Sequence, residues 1–305
     1  MKVAYSLPSY VLANDELAVL YPEWTADKIL AKTGIASRHV AGDGETALDL
    51  AESAAKKLFV EYAIDKGVID HLLLCTQSPE YNLPSTACLL HERLGLRKEA
   101  GALAFDHGCS GFVYGLSLAK GLVAGGMAKN VLLVTAETYT KYIASEDKST
   151  RTIFGDGAAA ALIDEETAGK IGAFSFGTDG SGAEKLIVRD GRLFMDGPEI
   201  FNFTLEVVPK TMEEVLAKNG MTKDCIDLYV FHQANKFMLD TIRKVNGLPR
   251  DKFYVNIETT GNTVSSTIPI ALKQLEAAGK LWTGMRVMLM GFGVGLSWGA
   301  TVITI

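Results

Sequence analysis

The stretch FGVGLSWGATVITI, residues 292–305, decides the fold of this 305-residue chain. A Phe-Gly turn gives way directly to a strand-like run of small and β-branched residues. Its glycines, within residues 291–299, superficially match a dinucleotide-binding fingerprint. That motif needs a helix after its glycines, and WGATVITI is a strand pattern, so the phosphate-binding reading fails. A glycine-rich turn can instead offer backbone N–H groups to an oxyanion. The same pattern stands once before, as FGDGAAAALI at residues 154–163. The echo marks two related α/β halves, residues 1–165 and 166–305, meeting near Asp164 to Lys170. No linker rich in Pro or Ser lies between them, so they are expected to pack as one body.

Short apolar runs alternate with helical segments on both sides of that boundary. HLLLCT (71–76), ALAFDH (102–107), NVLLVTAE (130–137) and AAAALID (158–164) read as strands of the first half. KIGAFSFG (170–177), DLYVFH (227–232), FYVNIE (253–258), RVMLMGF (286–292) and WGATVITI (298–305) read as strands of the second. LPSTACLLHERLGL (83–96) predicts a helix with Pro84 in its first turn, where proline is tolerated. SGFVYGLSLAKGLVAGG (110–126), PEIFNFTLEVVPKTMEEVLAKNG (198–220) and QANKFMLDTIRKVNG (233–247) predict three more helices. Strands alternating with helices imply sheets covered by helices, the α/β class.

Composition bounds the function. Hydrophobic residues make up 48% and charged residues 22%, which excludes a disordered chain or a small disulfide scaffold. The 30 Lys and Arg against 36 Asp and Glu leave a net charge of −6, which argues against nucleic acid as the main partner. The opening residues carry neither a basic leader nor an apolar signal core, and no apolar stretch reaches membrane-spanning length. The four cysteines (Cys75, Cys88, Cys109, Cys225) show no zinc-binding spacing. A cytoplasmic protein without metal, nucleic-acid or membrane partners is expected.

The segment LAFDHGCSGFVYGLSLAKG, residues 103–121, puts Cys109 in the turn between a strand and an apolar helix. Unpaired N–H groups at a helix start favour thiolate over thiol, and flanking Gly108 and Gly111 permit a tight turn. Cys109 therefore suits a nucleophile, although most buried cysteines only pack. Cys75 and Cys88 belong to an apolar strand and an apolar helix face, and Cys225 to a charged loop. His232 follows DLYVF, at the strand end where α/β proteins place ligands. A polar strand end facing water accounts for it equally well. Asn262, in TTGNTVSST, is first a turn residue and second an amide able to donate into a site. His39, His71 and His91 sit among charges and are expected at solvated surfaces. His107 shares the neighbourhood of Cys109, with a structural role favoured.

The order GCSGF, FGDGAAAA, HQAN, GNT, FGVGLSWGA, with KTGIASRHVA near the start and LPSTACLLHERLG before the cysteine, resembles the β-ketoacyl-acyl-carrier-protein synthase III family of the thiolase superfamily. The resemblance implies a five-layered αβαβα fold built from two similar halves, and a homodimer with active sites close to the interface. It implies Cys109 as the acyl-accepting nucleophile, and His232 and Asn262 as donors to the thioester carbonyl during decarboxylation. The backbone N–H groups of Cys109 and Val294 would form the second oxyanion site, with Val294 standing where the family usually has glycine. Tyr139, Phe154, Met195, Phe201 and Asn235 would bind substrate, and Leu83 would reach across the dimer to close the partner's pocket. Lys236, Arg243 and Lys244 would form a basic edge for an acidic acyl carrier protein. No cofactor would be held permanently; coenzyme A or carrier-protein thioesters would be substrates. Other positions also depart from the family: Lys28 replaces a tryptophan that stacks on coenzyme A, with Trp24 nearby, Lys148 replaces its arginine partner, and His107-Gly108 replaces small residues often seen before the cysteine. The same residues would serve an acyltransferase or condensing enzyme of secondary metabolism. Cys, His, Asn in that order also fits a thiol hydrolase, and a catalytically silent scaffold is a third class.

Overall fold

The computed structural model describes residues 1–305. Five strands form a first sheet: β1 (Lys2–Ser6), β2 (His71–Cys75), β3 (Gly101–Phe105), β4 (Asn130–Glu137) and β5 (Gly157–Asp164). Their order is β1-β5-β4-β2-β3, with β4, β2 and β3 parallel and β5 and β1 joined antiparallel. Four strands form a second sheet: β6 (Ile171–Thr178), β7 (Leu228–Phe231), β8 (Arg286–Gly293) and β9 (Ser297–Thr304), in the order β7-β8-β9-β6.

Reading both sheets from the antiparallel edge gives the same path, β1-β5-β4-β2 against β6-β9-β8-β7. The two echoed sequences, which lead into β5 and β9, thus occupy equivalent places. The second sheet lacks a full counterpart of β3. FYVNIE, expected as a strand, runs there but makes a single parallel bridge, Phe253 to Tyr229. The rest of it turns its backbone to side chains instead: Gln233 Oε1 accepts from Asn256 N–H at 2.9 Å.

Six principal helices cover the sheets: α1 (Ala47–Glu61), α2 (Thr86–Leu94), α3 (Gly111–Ala124), α4 (Gly197–Lys218), α5 (Lys236–Val245) and α6 (Thr267–Ala277). In β4, Leu132 and Val134 face α1 and α2, while Val131 and Leu133 face α3 and α6. That period-two division, repeated in β8, makes α3 and α6 a central layer buried between the sheets. The outer face of the second sheet packs under α4 and α5. The layers therefore run α1–α2, sheet, α3–α6, sheet, α4–α5.

Three expectations need correction. Pro84 lies outside α2: Ser85 is its N-cap, accepting from Ala87 N–H at 3.3 Å, so the helix begins one residue later. Cys88 sits on the exposed side of α2, because the buried stripe falls on Ala87, Leu90 and Leu94. His39, His71 and His91 are half-buried rather than solvated, and His39 Nδ1 contacts the Pro8 carbonyl at 2.6 Å. No helix is long and apolar enough to cross a membrane.

Candidate active site

Cys109 lies two residues before α3, in the turn leaving β3, and is 5% exposed. The end of β8 passes directly over it. A Cβ on Gly291 would sit 2.6 Å from the Cys109 carbonyl oxygen, and one on Gly293 would sit 2.8 Å from its sulfur. Only glycine permits this approach, which brings the Val294 N–H to the Cys109 sulfur.

Burial works against the ready thiolate expected at a helix start. Burial pushes the Cys109 thiol up to about 12, with the charge of Glu137 adding, against the pull of the Val294 and Cys109 N–H groups. Desolvation outweighs the helix terminus, so the resting sulfur keeps its proton.

His232 follows β7 and is 2% exposed. Gln233 fixes the strand exit, its Nε2 donating to Phe231 O at 2.7 Å. Burial holds His232 down to about 3, so the ring is neutral. Its Nδ1 is 2.7 Å from Thr267 Oγ1, which is also 3.1 Å from the Val264 carbonyl. A hydroxyl has one hydrogen. Donated to the Val264 carbonyl, that hydrogen leaves Thr267 Oγ1 to accept from Nδ1; turned to the shorter contact, it would go to Nδ1 and leave the ring hydrogen on Nε2. Asn262 Oδ1 accepts from Val264 N–H at 2.9 Å, which turns its NH₂ toward the ring, 3.5 Å from Nε2. With the ring hydrogen on Nε2, two donors converge without bonding each other. Val264 holds φ at +55°, a left-handed conformation costing a β-branched residue about 1–3 kcal/mol.

Cys109, His232 and Asn262 line one cavity of about 440 Å³, largely apolar, whose walls include Phe154, Met195, Phe201 and Asn235. Asn235 also caps α5, accepting from Met238 N–H at 2.9 Å. Tyr139 lies behind Phe154, ring centroids 5.6 Å apart, and faces a separate chamber of about 170 Å³ shared with Gln77 and Val294. Leu83 is 83% exposed and lines neither space. His107 packs its ring on Tyr114, centroids 4.3 Å apart, outside the cavity.

The cations on α5 are unequal. Lys236 pairs with Asp240, Arg243 donates to Leu248 O at 3.1 Å, and Lys244 is exposed with no acidic partner. Lys28, Lys32 and Lys148 surround the Trp24 ring, Lys32 at 4.6 Å. The sequence reading missed Phe237, 62% exposed and stacked on Phe201 where both line the cavity. It also missed Glu137. Phe237 was legible as the one aromatic residue of α5.

Two family models match the chain: 3-oxoacyl-[acyl-carrier-protein (ACP)] synthase III over residues 105–180, and its C-terminal part over residues 216–305. The chain is 36% identical to a β-ketoacyl-[acyl-carrier-protein] synthase III of Clostridium perfringens, covering 97% of this chain and 95% of that one. The chain belongs to the 3-oxoacyl-acyl-carrier-protein synthase III family. It has the thiolase fold and is a condensing, carbon–carbon-bond-forming acyltransferase. A crystal structure of a 3-oxoacyl-(acyl-carrier-protein) synthase III superposes with TM-score 0.97 at 49% identity, covering 99% of this chain and 98% of that one. The priming β-ketosynthase of the R1128 polyketide pathway superposes at 0.93 with 29% identity, covering 100% and 95%.

In this synthase III, Gly293→Ala should place a methyl group against the sulfur and abolish acyl-adduct formation on Cys109, read by intact-mass spectrometry. Retained acylation would refute the packing argument. Alkylation of Cys109 by iodoacetamide, followed by peptide mapping, should keep accelerating beyond about pH 9. A plateau near neutrality would reveal a preformed thiolate.

Proposed function

We propose that Cys109 takes an acyl group from a thioester and that the acyl-enzyme then condenses with a malonyl-carrier-protein thioester, losing CO₂. In the first step the sulfur attacks the thioester carbonyl, the carbon–sulfur bond to the donor breaks, and the Cys109 proton leaves with the released thiol. In the second, the malonyl carboxylate departs as CO₂ and its electron pair forms a thioester enolate. The enolate carbon attacks the acyl-cysteine carbonyl; the carbon–sulfur bond to Cys109 breaks with its electron pair passing to the sulfur, which takes a proton from water. The product is a 3-oxoacyl thioester on the carrier.

One observation carries this reading: three groups with distinct tasks open into a single apolar cavity. Neutral His232 and the Asn262 amide supply two fixed donors for the enolate oxygen, while the N–H groups of Cys109 and Val294 flank the position of the acyl oxyanion. The neutrality of His232 matters. An imidazolium would grip the malonyl carboxylate, stabilising the ground state and slowing its loss. A hydrolase would use His232 to activate the thiol, but the ring makes its hydrogen bond through Nδ1 to Thr267 and none to Cys109.

Phe154, Met195, Phe201 and Asn235 would receive the acyl and pantetheine portions, with Tyr139 forming the deeper wall. Exposed Phe237 beside Lys236 and Lys244 offers an apolar anchor with a basic rim for an acidic acyl carrier protein, and Arg243 contributes through its stem. Trp24 among its lysines suits a coenzyme A donor. No resident cofactor enters either step. Four free thiols favour the cytoplasm. The units 1–165 and 166–305 would be the two halves of one body.

The exposed edge at β3 supports a homodimer. It is an edge strand with one neighbour, its Leu103 is 50% exposed, and His107 Nε2 close by has no partner within the chain. Leu83 would then line the pocket of a second copy.

Asn262→Ala should keep acylation of Cys109 yet lose decarboxylation by about 10²–10³-fold, whereas Cys109→Ser should lose acylation itself. Labelled CO₂ release and intact mass read the two steps separately; equal losses in Asn262→Ala would defeat the assigned roles. Leu103→Lys should convert a dimer to a monomer by light scattering, and an unchanged mass would remove β3 from the interface.

A further inference from the structure

At the end of β4, beside the site but outside its cavity, Glu137 is fully buried. Its carboxyl accepts from Gln77 N–H at 3.0 and 3.2 Å, from Ser78 Oγ at 3.1 Å and from Ser265 Oγ at 3.0 Å. Gln77 and Ser78 belong to the loop leaving β2. Ser265 belongs to the loop that carries Asn262 and leads into α6. Nothing in the condensation uses Glu137 directly, and a buried carboxyl is costly to keep.

We infer that Glu137 is a positioning residue for the decarboxylating step: through Ser265 it ties the Asn262 loop of the second half to the strand ends of the first. The inference rests on the function proposed above and adds a residue to it. Asn262 is anchored on its own side by Val264 N–H. The Asn262 backbone is bridged to the first half beside Phe154, donating to the Ile153 carbonyl at 2.9 Å and accepting from Gly155 N–H at 3.0 Å, and Ser265 and Ser266 tie the following turn to Glu137 and Thr135 of β4. A displaced donor costs rate in the step it serves, and Cys109, held by β8 and α3, is not served by this loop.

The same carboxyl also faces the nucleophile electrostatically. Burial pushes Glu137 up to about 8, while its Gln77, Ser265 and Ser78 donors pull it down and Asp106 raises it further. Cys75, Cys109, Tyr139 and Tyr142 all feel its charge, each driven further toward its neutral form. Near neutrality Glu137 keeps its proton; above about 8 it ionises and opposes the Cys109 thiolate.

Three variants of the full chain separate these effects. Ser265→Ala and Glu137→Ala should each lower CO₂ release from malonyl-carrier protein by about tenfold or more while acyl-adduct formation on Cys109 holds. Glu137→Gln, whose amide oxygen still accepts from Ser265, should stay within a few-fold of the parent. Both Glu137 variants should shift the pH dependence of Cys109 alkylation to lower pH, and Ser265→Ala should not. If Ser265→Ala leaves the two steps in their parental ratio, or Glu137→Gln leaves the alkylation profile unmoved, the inference is wrong. Should Glu137→Ala fail to fold, the other two variants carry the test. Parent protein that forms no adduct or releases no CO₂ would instead overturn the proposed function, and the alkylation profiles would still judge Glu137.

Discussion

Two reciprocal hydrogen bonds at the starts of the central helices hold the catalytic geometry together. Ser110, just before α3, meets Ser297 of β9 at 2.8 Å; Ser266, just before α6, meets Thr135 of β4 at 2.8 Å. Neither serine caps its own helix through its side chain. Each reaches instead into the opposite half, and both are fully buried. A neutral hydrogen bond contributes only about 1 kcal/mol net, but a buried hydroxyl left unpaired costs more. The pair therefore specifies how the halves meet more than how tightly. With the halves so registered, the glycines of β8 can lie on the Cys109 turn.

This registry explains why the site forms where it does. Cys109 lies between β3 and α3; Asn262 lies between the FYVNIE segment, which runs in the place of β3, and α6. The two residues are thus equivalent positions of a duplicated architecture, and His232 leaves β7, the counterpart of β2. Both central helices aim their N-termini at the shared cavity, which favours negative charge there. Burial meanwhile keeps Cys109, His232 and Glu137 in their neutral forms near pH 7. An uncharged cavity under a positive field admits an apolar acyl chain without penalty. On the proposed function it would reward the oxyanions only when they appear, which is differential binding of the transition state.

Much of this was legible in the sequence, for a reason visible in the residues. NVLLVTAE matches β4 because a strand buried on both faces must be largely apolar, and such a run has few other fates. The Cys109, His232 and Asn262 positions were legible because each sits in a Gly- or amide-rich turn after an apolar run. FYVNIE was misread because its alternation fits a strand while the decisive competitor, the Gln233 amide, lies far away in sequence. Helix α1 was passed over despite its start signal: Thr46 and Asp49 cap one another, Thr46 N–H donating to Asp49 Oδ2 at 2.8 Å. The state of the Cys109 thiol was not legible at all. A helix start argues for thiolate from local sequence, whereas the burial that outweighs it comes from β8, assembled only in three dimensions.

Long-range packing of that kind also determines which polar residues matter. Ser265, Ser266 and Thr267 are consecutive, chemically alike and all buried, so sequence gives them one reading. The fold gives them three. Ser265 reaches Glu137, Ser266 reaches Thr135, and Thr267 orients His232. Successive residues entering a helix point about 100° apart, so three neighbours address three different elements. Asn262 precedes them in a loop with a left-handed Val264, and that strained backbone persists because each of the three hydroxyls over-determines it. Removing one hydroxyl therefore frees a particular direction of motion rather than the whole loop. His232 is held by Thr267, and the Asn262 loop by its bridge at Phe154 and its ties to β4, so neither constraint substitutes for the other.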